Sequence, residues 1–249
     1  MKTTTKLALC IFIALSIAGC RRQSAVDQKK EADRAQKLPA ELSKKVESIS
    51  PEIKKLRDQL GESDPNLATA VPDYKHYHEQ LIEGTRQIDH LVELINAKTY
   101  GDIPKLSLDG IKNSSAVCME ALAKAKEQLE ASIKLIDANK YSEVNQATNK
   151  GRYYQALGSA ASVQERIFLE IYQTVLLNSS AAERARIFED GAKIFLTIEH
   201  PGGMMFMADS LRRAYAEEDN VDNRAKMRDW LKQYNIPEAS ATPSPSGSP

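Results

Sequence analysis

An all-α fold, an antiparallel helical bundle with short C-terminal helices, follows from three features of the sequence. Between residues 39 and 236 apolar side chains recur three and four apart, the spacing of one helix face. No stretch alternates apolar and polar residues in the way a half-buried strand requires. Short clusters rich in Gly, Pro, Asn and Ser interrupt the periodic stretches and serve as turns. The 249 residues are enough for one sizeable core. Their 34 basic and 34 acidic side chains argue against a nucleic-acid binder.

Each element can be justified in turn. Leu42, Val46, Ile49, Ile53, Leu56 and Leu60 form a first apolar seam at steps of four and three, a coiled-coil-like stripe that packs lengthwise on a partner. Pro51 interrupts it, and Ser50-Pro51-Glu52 suits a kink or a fresh N-cap with proline at the first helical position. Gly61 to Pro72 reads as a loop. A second helix is expected from about Asp73 to Lys98, with Tyr74, Tyr77, Leu81, Ile88, Val92 and Ile95 on one face. Thr99 to Ser114, holding Gly101, Pro104, Gly110 and Asn113, reads as a second irregular connection, long enough to carry binding contacts.

A third helix is expected from Ser115 to Asn139 on Cys118, Leu122, Ala125, Leu129, Ile133 and Ile136. A fourth starts at the Tyr141-Ser142-Glu143 corner and runs to Leu177, about 54 Å. Its strip of Gly151, Ala156, Gly158, Ala160 and Ala161 lets another helix approach closely. Ser180-Ala181-Ala182-Glu183 has the pattern of a capping box and opens a fifth helix, with Ala185, Phe188, Ala192, Phe195 and Ile198 facing the core. His200-Pro201-Gly202-Gly203 ends it. A sixth helix carries Met204, Met207, Leu211 and Tyr215, and a seventh, capped by Asp222, carries Met227, Trp230, Leu231 and Tyr234. The corner from Asp137 to Val144 resembles that between helices of tetratricopeptide arrays, but over that stretch alone and without a second copy.

The two ends read differently. Lys2 and Lys6 precede the apolar run Leu7 to Ile17, which is too short for the roughly 20 residues of a spanning helix and has the form of a secretory signal. The run closes in Ile17-Ala18-Gly19-Cys20, which resembles the lipobox of bacterial lipoproteins. That resemblance implies cleavage of residues 1–19, attachment of diacylglycerol to the Cys20 thiol and acylation, as with palmitate, of the new amino terminus. It also implies a lipid-anchored envelope protein. Arg21 rather than aspartate after the cysteine favours the periplasmic face of the outer membrane if the host is Gram-negative. Loss of Lys2 and Lys6 leaves 32 basic against 34 acidic residues, a balance of −2, which argues against a basic membrane-coating surface. Residues 20–38 are highly charged and read as a lipidated mobile tether or a frayed helix between lipid and domain. Residues 39–236 form the bundle, and the Ser/Pro-rich residues 237–249 read as a disordered tail. With Cys10 removed and Cys20 lipidated, Cys118 is left as a lone thiol in an apolar setting, expected to be buried.

Motifs that name a reaction are missing. The chain has no Gly-x-Ser-x-Gly elbow, no phosphate-binding glycine loop and no His-Glu-x-x-His helix. His90 with Arg86 and Glu93 is the nearest acid-base cluster, and such helical neighbours usually form solvated ion pairs. His76 and His78, two apart, face about 200° away from each other on a helix and do not chelate together. His200, Met204 and Met207 are the sharper metal candidates, since thioethers suit Cu(I); methionines filling gaps at a helix start are the plainer account. The expectation is therefore a lipid-anchored, non-catalytic module that binds or scaffolds an envelope protein and needs no cofactor. A copper or small-ligand binder is the alternative, and a hydrolase comes third.

Overall fold

A computed structural model of the chain describes residues 25–61, 71 and 73–236, and among them there are seven helices and no strand. We number them α1 (Ala25–Gly61), α2 (Tyr74–Asn96), α3 (Ile103–Asp137), α4 (Tyr141–Asn178), α5 (Ala181–Phe195), α6 (Pro201–Ala216) and α7 (Val221–Gln233). The expected all-α bundle is what the chain forms. The expected signal segment, most of the expected Gly61 to Pro72 loop and the expected Ser/Pro-rich tail lie outside the described residues.

The core is built from the stripes the periodicity picks out. Leu42, Ile49, Ile53 and Leu56 of α1 are buried, as are Tyr77, Leu81, Ile88, Leu91 and Ile95 of α2. They close over α4, whose Ile167, Phe168, Ile171 and Tyr172 are fully enclosed. Ion pairs Lys45–Glu170 and Arg166–Glu52 stitch α1 to α4 along the rim of that core, and Arg57–Asp89 joins α1 to α2. Of the three short C-terminal helices, α5 and α6 pack on α4 and α7 packs on α5 and α6, and together they bury Phe188, Met207, Leu211, Met227 and Leu231.

The structure corrects several boundaries. α1 continues through Pro51 rather than restarting; Ser50 Oγ donates to the Val46 carbonyl just ahead of the proline. It also begins at Ala25, so part of the charged segment read as tether is helical. Lys30 and Arg34 reach Asp219, and Arg34 donates to the Glu217 carbonyl. The expected loop from Thr99 to Ser114 is mostly the first three turns of α3. Pro104 sits in the first turn, where its missing N–H costs nothing. Gly110 is present because a Cβ there would lie 2.4 Å from the Phe168 ring. The cap of α7 is Asn220, not Asp222, with its Oδ1 accepting from the N–H groups of Asp222 and Asn223. Ser180 caps α5 as expected, its Oγ accepting from Glu183 N–H.

Helices α3 and α4 are joined by residues 138–140 and run antiparallel as a long hairpin. Asn139 takes a left-handed conformation (φ 58°), and Lys140 N–H reaches back to Leu135 O, so the helix ends in a Schellman turn. The small-residue strip of α4 performs its expected role. A Cβ on Gly158 would sit 3.1 Å from Leu122, and one on Gly151 would sit 3.3 Å from Leu129.

Candidate functional site

Three places in this frame have the makings of a site. The first is the distal half of the α3–α4 hairpin. From Lys126 to Gln146 only Ser132 is buried, because no other described helix covers this end. Apolar positions that the 3.6-residue period marks as core are consequently uncovered: Leu129 is 44% exposed, Ile133 58%, Ile136 46% and Tyr141 63%. Leu122, Leu129, Ile133 and Ile136 are spaced seven, four and three apart and so share one face of α3. Leu122 and Leu129 shield the glycines of α4 with one side and face solvent with the other. Lys126–Glu130 and Lys140–Glu143 flank the stripe as solvated pairs, so the surface is apolar at its centre and mixed in charge at its rim.

The second is a buried polar cluster where α3 and α4 meet the start of α6. Glu165, 1% exposed, receives His200 Nδ1 at 2.5 Å. Ser115 Oγ accepts from the backbone N–H groups of Glu199 and His200, both at 3.0 Å. Glu165 Oε1 finds no donor among the described residues and lies where a Cβ on Gly203 would fall, 1.9 Å away. Burial holds the Glu165 carboxyl above its usual range, with the His200 ring and the Ser115 hydroxyl opposing. The neighbouring Cys118 thiol is pushed up to about 11, first by burial and then by the Glu165 carboxylate. A thiol so raised stays protonated at neutral pH and is a poor nucleophile. Ser115 Oγ thus serves both the backbone and the Glu165 carboxyl. The arrangement pins the α5–α6 turn onto the hairpin.

The third is a groove of about 420 Å³ between α2 and α3, with Gln164 of α4 among its lining residues. His76, Asn113 and Ser114 also line it, so two residues of the segment first read as a loop do face a concave surface, but from a helix.

The metal candidates do not come together. Met207 is fully buried in the core while Met204 is exposed, and His200 Nδ1 is committed to Glu165. Among the described residues no three His, Cys, Asp or Glu side chains are placed to hold a metal ion. His90 and Glu93 are 3.5 Å apart and mostly exposed, and Arg86 turns instead to Glu83. His78 bonds the Leu60 carbonyl at 2.9 Å. Cys118 is buried as expected.

Sequence reasoning missed Gln164 and Glu165, although they fall between Ala161 and Phe168 on the core face of α4. Two adjacent polar residues on a buried stripe were the available signal. No protein-family model, curated protein or solved structure matches this chain.

Proposed function

We propose that the chain is a lipid-anchored protein of the bacterial cell envelope whose helical domain binds a protein partner through the distal half of the α3–α4 hairpin. The carrying observation is the uncovered stripe of Leu129, Ile133 and Ile136, with Tyr141 beside the turn. Contiguous apolar surface with a polar rim is the common form of a protein-binding patch, and the stripe's three-and-four spacing suits the ridges of a partner helix. Support for the anchor comes from Ile17-Ala18-Gly19-Cys20 and the basic, apolar stretch before it. Among the described residues no helix is long and apolar enough to cross a membrane; two or three acyl chains at Cys20 would give stable attachment. Tethering raises the local concentration of the domain at the membrane, which lets a patch of modest area act.

The test is affinity recovery from envelope fractions using the native chain and an Ile133→Ser/Ile136→Ser variant. Because Ile133 is 58% and Ile136 46% exposed, the variant is expected to lose no more than about 2 kcal/mol and to stay folded. Recovery of a discrete envelope protein with the native chain, lost with the variant, is the expected result. Equal recovery with both, or no specific protein with either, overturns the proposal.

A further inference from the structure

The α2–α3 groove is chemically one-sided, independently of the hairpin. Glu79 and Glu83 of α2 and Glu120 of α3 line it, and no lysine or arginine does. Its floor includes Gln164, only 2% exposed. The Gln164 amide nitrogen donates to Leu81 O at 2.6 Å and to Thr85 Oγ1 at 2.9 Å. Those two bonds fix the amide's orientation and leave Oε1 over Gly84, where a Cβ would lie 2.6 Å from it. Another amide oxygen in the same lining, Gln80 Oε1, is buried and has no hydrogen-bond partner among the described residues. An orphaned acceptor beside three carboxylates calls for a ligand that brings N–H donors and positive charge. Ala116 and Val117 supply an apolar wall for a short aliphatic body, and the volume lies within the usual range for small ligands.

We infer that this groove is a binding site for a small aliphatic amine in its ammonium form, a di- or polyamine, with the Gln80 carbonyl and Glu120 as its hydrogen-bond acceptors. Glu120 Oε1 already accepts from Tyr77 Oη at 2.9 Å, which holds the carboxylate in place. Arg86 lies just outside, paired with Glu83, and competes with an incoming cation.

Calorimetric titration of the full chain in detergent with spermidine, and with glutarate as an anionic control, tests the assignment. Saturable binding of spermidine at one site is expected, with no binding of glutarate. Gln80→Met and Glu120→Gln, chosen because neither removes a buried internal hydrogen bond donor, are each expected to weaken binding about ten-fold. Arg86→Gln is expected to tighten it. Absence of saturable spermidine binding below about 1 mM, equal binding of glutarate, or affinity unchanged in both weakening variants overturns the assignment.

Discussion

Among the described residues, Arg184 and Glu218 form the most deeply buried ion pair. Both are essentially buried, with Nη1 donating to Glu218 Oε2 at 2.9 Å and Nη2 to Ser179 O at 2.8 Å, while Glu218 Oε1 accepts from Asn220 N–H. The pair fastens the start of α5 to the α6–α7 turn. Removing one partner strands a buried charge, so Glu218→Ala is expected to cost about 3–5 kcal/mol in urea unfolding, and Arg184→Met with Glu218→Leu much less. No local pattern reveals this contact: Arg184 lies on the same stripe as Ala185 and Phe188, and its partner is distant in sequence. Glu165 behaves differently. Its folded-state pKa is raised above the ordinary 4.5, so the folded chain holds that proton more tightly than the unfolded chain. The cost of ionising Glu165 is absent below the unfolded value and grows as pH rises through the folded one. Stability is therefore expected to fall with pH across that window, and Glu165→Gln to flatten the fall, measured as urea midpoints at a series of pH values.

At the scale of the element, glycines separate two kinds of close packing. Gly151 faces Leu129, which is half exposed and free to give by a few tenths of an ångström. Gly151→Ala is expected to stabilise by about 0.5–1 kcal/mol through helix propensity. Gly191 instead faces Tyr172 Oη, where an added Cβ would lie 1.9 Å away, and that hydroxyl is buried and donates to Ile187 O. Gly191→Ala is expected to lose about 2 kcal/mol or more. Thermal melts of the two variants, with opposite signs, check this pair. The helices themselves were largely legible, because Leu42 to Leu56, Tyr77 to Ile95 and the α4 stripe repeat with an unbroken helical period. The start of α3 was not. Gly101, Pro104 and Gly110 are the residues of a loop until Phe168, from another helix, is known to need the space at Gly110 and Pro104 to occupy the first turn. Tertiary packing decided that segment, and local composition did not contain it.

On the scale of the whole molecule, length mismatch is the governing feature. α3 and α4 have 35 and 38 residues, while α2 has 23 and the C-terminal helices 13–16; α1, with 37, is displaced toward the C-terminal helices, where its Lys30 and Arg34 reach Asp219. The far ends of α3 and α4 consequently outrun the layer that would cover them. The period of α3 marked Leu129, Ile133 and Ile136 as core, and the structure shows that no partner within the described chain buries them. Which apolar stripe lacks a cover depends on where every other helix stops, so periodicity alone does not reveal it. The anchor is tested separately: radiolabelled palmitate is expected to enter the native chain and not a Cys20→Ala variant.

A photo-activated cross-linking residue placed at Ile133, with Lys112 on the same helix but away from the hairpin tip as control, gives the most direct test of the central claim. In living cells the account predicts one discrete cross-linked envelope protein from position 133, none from position 112, and loss of the product when Cys20 is replaced by alanine. Identical products from both positions, or none from position 133, contradict it.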